Sequence, residues 1–341
     1  MPTYRDSGVD LEAADRLVGE IAADVRRTWN PDVVGDFGGF AAGIALPGGY
    51  DDPVLMLSTD GVGTKADVAR RTGLVDGLGY DLVAMCADDL SAAGAKPIAF
   101  ADYIATGVLD IVAVKRLVRS IAAACQVAGM ALLGGETAEH PGVMEPDQFD
   151  LSATALGVVE RELVVDGSEI EIGDRVIGLS SPNLRSNGFS LLRATVWADA
   201  ALADEPTGPL AALTEMAMAP SVIYSPVIQD VLATVRPHGL AHITGGGLRS
   251  NIARVLPPGT AARIDPGRWT RAAVFDELEV AAGVDRAEMY RTFNMGIGFV
   301  VITRPEAARS TMDLIAASGT ACWDIGRIVD GDRNVVIEGL G

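Results

Sequence analysis

The stretch Ser58-Thr59-Asp60-Gly61-Val62-Gly63-Thr64-Lys65 is the part of the chain around which the rest is interpreted. It follows the apolar run Val54 to Leu57, which has the length and bounds of a buried strand, so the polar stretch is predicted at that strand's end. Glycines there allow a backbone to approach a ligand closely. Amide N–H groups and an ammonium suit phosphate oxygens, and a carboxylate suits Mg²⁺. An ordinary polar turn explains the same residues, and the spacing is not that of a Walker A loop.

Length and composition limit the classes of protein to consider. At 341 residues the chain exceeds the size at which one core stops growing, so two domains are predicted. The net charge of −19, from 27 basic and 46 acidic residues, argues against nucleic acid or an anionic membrane as the main partner. No apolar run reaches about 18 residues and the N-terminus is polar, which predicts a soluble cytoplasmic protein without a signal peptide. The three cysteines lie far apart, which favours buried free thiols over a disulfide framework or a zinc site.

Two further groups of carboxylates interrupt apolar elements in the first half. The pattern predicts a helix from Gly79 to Ala93 that carries Asp81 and the pair Asp88-Asp89, and a strand from Pro97 to Gly107 that carries Asp102. Carboxylates near apolar surface are costly unless they are hydrogen-bonded or coordinate a cation, and Asp is depleted in strands. We therefore expect a ligand-linked role for some of them, with a solvated Asp pair on the helix as the alternative.

Other polar segments in the first half are open to two interpretations. A short strand from Met130 to Leu133 precedes Gly134–Gly142, whose two glutamates suit a metal or a substrate amine, or a plain loop. Gly35–Phe40 is a Gly-rich stretch that leads into a predicted strand, Ala41–Leu46, and suits either a tight turn or a phosphate loop. Tyr4–Asp10 precedes a predicted helix and is either a frayed terminus or a segment able to fold over a ligand.

Two polar turns follow predicted strands in the second half. The strand Val176–Leu179 leads into Ser180–Ser190, and His242–Leu248 contains three consecutive glycines before a predicted helix. A polar turn at a helix N-terminus presents free N–H groups to an anion. His242 suits a substrate contact or a proton carrier, because an unperturbed His has a pKa of about 6.5, and it equally suits a structural histidine.

Together these segments resemble the aminoimidazole ribonucleotide synthetase family, also called phosphoribosylformylglycinamidine cyclo-ligase, of purine biosynthesis. Each segment is short, but their order and spacing are specific. The resemblance runs through Tyr4–Asp10, Gly38–Phe40, Thr59–Lys65, Asp81–Met85, Asp102–Gly107, Gly134–Gly142, Ser186–Gly188, His242–Gly247 and Phe293–Gly298. It implies an N-terminal α+β domain (residues 1–168) that binds ATP and whose sheet forms a barrel with that of the partner subunit, followed by a C-terminal α/β domain (residues 169–341).

The resemblance also implies a reaction. It predicts a homodimeric enzyme that uses ATP and Mg²⁺ to close the imidazole ring of formylglycinamidine ribonucleotide, with sites in the clefts between domains. The products are 5-aminoimidazole ribonucleotide, ADP and phosphate. One alternative is a sister ATP-dependent kinase or synthetase of the same superfamily. Another is a nucleotide-binding regulatory protein without turnover.

Site residues are implied by the same resemblance. The catalytic candidates are His242, Lys65 and Asn187. The ATP-binding candidates are Thr59, Asp60, Gly61, Gly63, Thr64, Lys65, Asp102, Thr106, Gly107, Gly135 and Glu136. The ribonucleotide-binding candidates are Ser186, Asn187, Gly188, His242, Gly245, Gly246 and Gly247. The Mg²⁺ candidates are Asp60, Asp89, Asp102 and Glu136.

Several positions depart from the family pattern. The departures are Arg5 for Lys, Asp36-Phe37 for Gly-Leu, Asp88 for Asn, Arg185 for His and Ser221-Val222 for Thr-Arg. Val222 removes a positive charge, whereas Arg185 adds one that suits an anion. The ATP side of the predicted site therefore follows the family more closely than the substrate side.

Overall fold

The computed structural model describes residues 11–198 and 209–340. Contacts divide the chain into two compact units: unit 1 extends to Leu90 and includes Lys96–Arg161, and unit 2 comprises Ser91–Ala95 and the chain from Glu162 onward. The predicted segment Tyr4–Asp10, which includes the departure Arg5, lies outside the described residues. No helix in the described ranges is long and apolar enough to cross a membrane.

Unit 1 is a four-stranded sheet with helices on one face. Its elements are α1 (Leu11–Arg26), β1 (Val33–Val34), β2 (Gly43–Ile44), β3 (Pro53–Gly61), α2 (Lys65–Thr72), α3 (Leu78–Ala92), β4 (Lys96–Thr106), α4 (Ile111–Ala128), β5 (Ala131–Glu139) and β6 (Phe149–Glu160). The strand order is β3-β6-β4-β5, in which β6 is antiparallel to both neighbours and β4 is parallel to β5. β1 and β2 form a separate two-stranded pair.

Local sequence patterns account for two helices of unit 1. The predicted helix Gly79–Ala93 is observed as α3, with nearly every side chain buried. In α4, the Asp110 side chain accepts hydrogen bonds from the amides of Val112 and Ala113, and Gly129 ends the helix with a φ of 72°. Such caps satisfy backbone groups that a helix leaves unpaired at its ends.

Three strands of unit 1 differ in length from the prediction. β3 continues through Asp60 to Gly61, so half of the Ser58–Lys65 stretch lies inside the strand rather than after it. β5 continues to Glu139, so the predicted loop Gly134–Gly142 is largely strand. Both extensions pair with a neighbouring strand over their whole length, and this pairing outweighs the polar local sequence. Within the predicted strand Ala41–Leu46, only Gly43–Ile44 is observed as a strand.

Unit 2 contains a six-stranded, mostly antiparallel sheet. Its elements are β7 (Arg175–Ser180), α5 (Phe189–Ala194), α6 (Pro209–Met218), α7 (Ser225–Thr234), β8 (Gly239–His242), α8 (Gly247–Ala253), β9 (Thr260–Ile264), α9 (Ala273–Ala282), α10 (Arg286–Thr292), β10 (Ile297–Thr303), α11 (Pro305–Ala317), β11 (Cys322–Asp330) and β12 (Val335–Ile337). The strand order is β12-β9-β11-β7-β10-β8, and only β12 and β9 are parallel. The core lies between this sheet and the helices α7 and α11, where Ile228 and Ile315 are fully buried.

The division between units lies seven residues before the predicted one, which fell after residue 168. Residues 162–168 contact the segment Ser91–Ala95, which belongs to unit 2: the amide of Val165 donates to the carbonyl of Ala93 at 3.1 Å. Gly167 packs so closely on the carbonyl of Val255 that a side-chain carbon there would overlap it. These contacts assign the connection to unit 2.

Candidate functional site

In unit 1, one row of residues crosses all four strands of the sheet. Asp60 of β3 lies opposite Ala153 of β6, Ala153 lies opposite Asp102 of β4, and Asp102 lies opposite Gly135 of β5. Residues directly opposite one another project from the same face, and adjacent strands lie about 4.8 Å apart. Asp60 and Asp102 therefore share a face, with their Cα atoms about 10 Å apart.

The third carboxylate on this face comes from α3. The thiol of Cys86 lies 3.7 Å from the carbonyl of Ala153. Burial, and then the negative charges of Asp60 and Asp89, raise the pKa of Cys86 to about 12. Asp89 Oδ2 also lies 3.4 Å from Ser58 Oγ, two residues before Asp60 on β3. Three of the four Mg²⁺ candidates, Asp60, Asp89 and Asp102, thus lie on this side of the sheet.

The carboxyl group of Asp102 has a pKa well above its usual value. Burial raises the pKa of Asp102 to about 7, because a charge is poorly solvated there, although the side chain retains some exposure. Its carboxylate lies over Gly135, where any side-chain carbon would overlap Oδ1. A bound cation would favour the ionised form of Asp102. The absence of a side chain at Gly135 leaves room for the Asp102 carboxylate, and the oxygen donors on this face suit the Mg²⁺ of a magnesium–nucleotide complex.

Glu136 does not join this group. It lies opposite Tyr103, one position beyond the Asp102–Gly135 pair, and side chains alternate between the two faces of a strand. Glu136 is therefore on the other face of the sheet, where it is exposed. Tyr103 on that face contacts His140, with Tyr103 Oη 3.2 Å from His140 Nε2.

No protein-only metal cage is present in the described ranges. Within residues 11–198 and 209–340, no three His, Cys, Asp or Glu side chains are close enough together to hold a metal ion. The expected convergence of Asp60, Asp89, Asp102 and Glu136 as four metal ligands is therefore not observed. Mg²⁺ commonly binds through one or two carboxylates and completes its shell with phosphate oxygens and water, so the three remaining carboxylates still suit a nucleotide-bound ion.

Lys65 has a carboxylate partner inside unit 1. Its Nζ lies 2.7 Å from Asp81 Oδ2, and neither side chain is exposed. Because Lys65 opens α2 and Asp81 lies in the first turn of α3, the pair links the two helices. The structure thus gives Lys65 a buried carboxylate partner where the sequence predicted an ATP phosphate.

The remaining ATP-binding candidates occupy the ends of strands. Asp60 Oδ1 accepts the amide of Gly61 at 2.7 Å, and Thr59 Oγ1 lies 2.9 Å from Thr154 Oγ1 on the face opposite Asp60. Gly63 and Thr64 form the bend before α2, and Gly63 has a φ of 67°.

At the end of β4, Thr106 and Gly107 have contacts within unit 1. Thr106 Oγ1 donates to the carbonyl of Val108 at 2.8 Å, and the amide of Gly107 donates to the carbonyl of Gln148 at 2.9 Å. A side-chain carbon at Gly107 would overlap the carbonyl of Glu145. These contacts hold the segment after β5 against the end of β4.

In unit 2, the structure brings together the two predicted polar turns. Gly188 packs against the ring of Phe293, and Gly247 packs against the carbonyl of the same residue, so closely that a side chain at either glycine would overlap it. A side-chain carbon added at Gly245 would lie 3.4 Å from Asn187 Oδ1, its nearest neighbour. Phe293 therefore connects the Ser186–Gly188 turn with the triple-glycine turn.

Two asparagines that the sequence analysis did not select hold these turns. Asn251 Nδ2 lies 2.8 Å from the carbonyl of Gly247 and 3.3 Å from that of Gly245, and the side chain is buried. Asn294 Nδ2 donates to the carbonyl of Asn183 at 2.9 Å. An Asn within the apolar pattern of a predicted helix is the available signal for Asn251, because a buried amide needs hydrogen-bond partners.

The turns also contain polar atoms suited to a ligand. Ser186 Oγ and Asn187 Nδ2 are buried and make no hydrogen bond to any residue in the described ranges. Buried polar groups are rarely left in this state in a native protein, so a bound molecule or water is expected as their partner. The helices that follow the turns, α5 and α8, have only six and seven residues.

His242 and Arg185 lie next to the two turns, and each packs against an aromatic ring. His242 ends β8, is buried, and stacks on Phe299 with ring centroids 6.2 Å apart. Arg185 is fully buried, has a φ of 60°, and places its guanidinium carbon 4.8 Å from the centre of the Tyr224 ring. The structure therefore shows Arg185 as part of the interior beside the predicted substrate turn.

Comparison with known proteins gives matches over both units. The family described as "AIR synthase related protein" matches with its N-terminal domain at residues 41–159 and with its C-terminal domain at residues 171–339. A phosphoribosylformylglycinamidine cyclo-ligase of Sorangium cellulosum is 46% identical over 331 residues, which are 96% of this chain and 95% of that relative. Another of the same name, from Xanthomonas oryzae pv. oryzae, is 43% identical over 98% of this chain and 100% of its own length.

Solved structures of the same fold are more distant in sequence. Thiamine-monophosphate kinase from Stenotrophomonas maltophilia has a TM-score of 0.69 at 19% identity, over 94% of this chain and 96% of its own. Hydrogenase maturation protein HypE in complex with ATP has a TM-score of 0.68 at 20% identity, over 98% of this chain and 93% of its own. At these identities the similarity establishes the fold alone.

Proposed function

This chain belongs to the AIR synthase related family, and we propose that it is a phosphoribosylformylglycinamidine cyclo-ligase, an enzyme of purine biosynthesis. The observation that carries the proposal is 46% identity over 96% of the chain to a curated cyclo-ligase. The substrate is formylglycinamidine ribonucleotide, and the products are 5-aminoimidazole ribonucleotide, ADP and phosphate. Thiamine-monophosphate kinase and HypE, which share the fold, are only 19% and 20% identical to this chain. Their similarity therefore does not favour another activity.

The reaction follows from the chemistry of an amide. Its oxygen is a poor leaving group, so the γ-phosphoryl group is first transferred to it, forming an O–P bond as the bond to ADP breaks. The amidine nitrogen of the same molecule then attacks the activated carbon, the C–O bond breaks, phosphate leaves and the nitrogen loses a proton. Holding both ends of the substrate together supplies much of the rate advantage of the attack.

Unit 1 provides the groups for ATP. Asp60, Asp89 and Asp102 would hold Mg²⁺ together with phosphate oxygens, and this ion would neutralise charge on the transferred phosphoryl group. The raised pKa of Asp102 supports this assignment, because a carboxylate kept from water by burial is stabilised by a neighbouring cation. Glu136, on the opposite face of the sheet, is omitted from this ligand set.

Unit 2 provides the groups for the ribonucleotide. Ser186 Oγ and Asn187 Nδ2 would donate to substrate oxygens, and the neighbouring Gly245 has no protein atom of the described ranges other than Asn187 Oδ1 within 4 Å of its side-chain position. His242 would orient the reacting end of the substrate or accept a proton from the attacking nitrogen. Its stacking on Phe299 fixes the plane of the imidazole.

The assembly proposed for this enzyme is a homodimer. The face of the unit 1 sheet opposite its helices exposes apolar side chains: Leu57 is 72% exposed, Leu55 58% and Tyr103 39%. An exposed apolar sheet face is typical of an interaction surface. A second copy of the chain, covering this face with its own, would bury these side chains and form the barrel that the family resemblance implies.

A histidine comparison tests the substrate assignment. We expect His242→Ala to slow ring closure by about 10²- to 10⁴-fold with ATP affinity retained, because one positioned proton-transfer or hydrogen-bonding group is lost. His238→Ala is the matched control: His238 Nδ1 lies 2.8 Å from Asp174 Oδ2 in the interior, so this variant should lose stability and keep ring closure. Near-wild-type cyclisation by His242→Ala rules out the catalytic assignment, and parallel losses in both variants indicate a structural histidine.

A further inference from the structure

Unit 2 contains a cavity rich in arginine that the cyclo-ligase reaction leaves unused. Its volume is about 170 Å³, and its lining includes four arginines and two carboxylates: Arg175, Arg263, Arg268, Arg327, Asp265 and Glu338. The chain as a whole carries a net charge of −19 and only 27 basic residues. Four of these 27 therefore gather in one small cavity, whose local charge is opposite to that of the protein.

The strand register places three of these arginines in a row. Arg327 of β11 lies opposite Arg175 of β7 on one side and opposite Arg263 of β9 on the other. The Cβ atoms of directly opposite residues are about 4.5–5.5 Å apart, and like charges in such positions repel. Arg263 and Arg327 are exposed, so water screens part of this repulsion, and carboxylates or a bound anion among the guanidinium groups reduce it further.

Carboxylates neutralise the charge of three of the four arginines in the cavity. Arg175 contacts Asp324, Arg263 Nε lies 2.6 Å from Glu338 Oε1, and Arg268 Nε lies 3.2 Å from Asp265 Oδ2. Arg327, the central member of the row, has no ion pair or side-chain hydrogen bond to any residue in the described ranges. Its guanidinium group is thus available to a ligand at the place where positive charge is concentrated.

The dimensions of the cavity limit the ligand. Sites for drug-sized molecules occupy about 300–1,000 Å³, so a cavity of about 170 Å³ suits a small anion or the charged end of a larger molecule. The planar fork of arginine matches the oxygens of a phosphoryl group in a bidentate geometry.

The cavity is also separate from the polar turns of unit 2. Arg175 is the first residue of β7 and Ser180 is the last, and the Ser186–Gly188 turn follows Ser180. Five residues of strand span about 17 Å. A ligand at the arginine cavity would therefore not overlap a substrate at the turns.

We propose that this cavity is a binding site for a phosphoryl group, as free phosphate or as the end of a phosphorylated metabolite, with Arg327 as its principal ligand. The site is independent of the cyclo-ligase reaction. The competing explanation is a solvated network of ion pairs that stabilises the sheet without binding an anion.

Arginine side-chain NMR tests the proposal on the full-length protein. The Nε–Hε resonance of Arg327 is assigned as the one absent from Arg327→Gln, and inorganic phosphate and glycerol 3-phosphate are titrated separately at constant ionic strength. In the wild-type protein we expect this resonance to shift saturably with added ligand. Phosphate should also raise the melting temperature, and Arg327→Gln should need about 10- to 100-fold more phosphate for the same rise. Arg309→Gln, an 85% exposed arginine on α11, is the control and should behave as wild type.

Each outcome decides the proposal. A tighter response to glycerol 3-phosphate identifies a phosphorylated metabolite as the source, and a tighter response to phosphate identifies the free ion. A resonance that responds equally to sodium chloride, or equal melting shifts in both arginine variants, overturns the site. Ring closure should be unchanged in Arg327→Gln, so failure here is distinguishable from failure of the cyclo-ligase assignment.

Discussion

The buried Lys65–Asp81 pair gives a prediction that separates a structural lysine from a phosphate-binding one. At their separation of 2.7 Å, the gross attraction is about 6 kcal/mol at an effective dielectric constant of about 20, offset in large part by the desolvation of both charges. Removing one partner leaves the other charge buried and uncompensated. We therefore expect Lys65→Met to lower the free energy of unfolding by about 3–5 kcal/mol.

Urea unfolding followed by circular dichroism measures this loss. Two further variants test whether the loss comes from an uncompensated buried charge. The double variant Lys65→Met/Asp81→Leu should recover most of the lost stability, because no charge then remains buried. Arg70→Met is the matched control on the same helix. Its ion pairs with Asp67 and Asp147 are partly exposed, and each should contribute at most about 1 kcal/mol.

Two results would refute the structural interpretation of Lys65. One is a loss below about 1 kcal/mol in Lys65→Met, and the other is a double variant that is no more stable than the single one. ATP affinity of the folded double variant provides the second measurement. Affinity close to wild type supports the structural role, whereas a loss of 10-fold or more assigns the ammonium to the ATP phosphates.

Two other predictions concern unit 1. Because burial raises the pKa of Asp102 from its ordinary 3.8 to about 7, the folded protein binds a proton that the unfolded chain has lost, so stability should fall as pH rises from about 4 to about 7. The fall should amount to at most about 4 kcal/mol, which corresponds to about three pKa units, and Asp102→Asn should remove it. Urea unfolding without nucleotide measures both proteins across this pH range. Parallel pH profiles for the wild type and the variant would exclude the raised pKa of Asp102. Leu57→Asp should convert a dimer to a monomer in sedimentation, whereas Val280→Asp, on the exposed face of α9, should not; a wild-type monomer with full activity contradicts the proposed assembly.

The sequence predicts those parts of the fold that depend on local chemistry. The apolar spacing of α3 is readable from a few turns of sequence, and this helix is observed where it is predicted. The ends of β3 and β5 are not readable in this way. Their polar residues belong to strands only because a neighbouring strand supplies hydrogen-bond partners.

The candidate site shows the same limit. Residue types and order indicate Asp60, Asp89 and Asp102, but only the register shows that Glu136 lies on the other face of the sheet. The burial of Lys65 likewise depends on how α3 packs against α2, which no local pattern specifies. Polar segments are thus predictable as site candidates, and the direction of each side chain is not.

The most direct test of the central claim is an assay of the purified protein with ATP, Mg²⁺ and formylglycinamidine ribonucleotide. ADP and 5-aminoimidazole ribonucleotide are quantified in the same reaction. The cyclo-ligase assignment predicts one ADP for each ring closed, and negligible ADP formation when the ribonucleotide is omitted. ADP release without ring closure, or ATP binding without any turnover in the presence of the ribonucleotide, would contradict it.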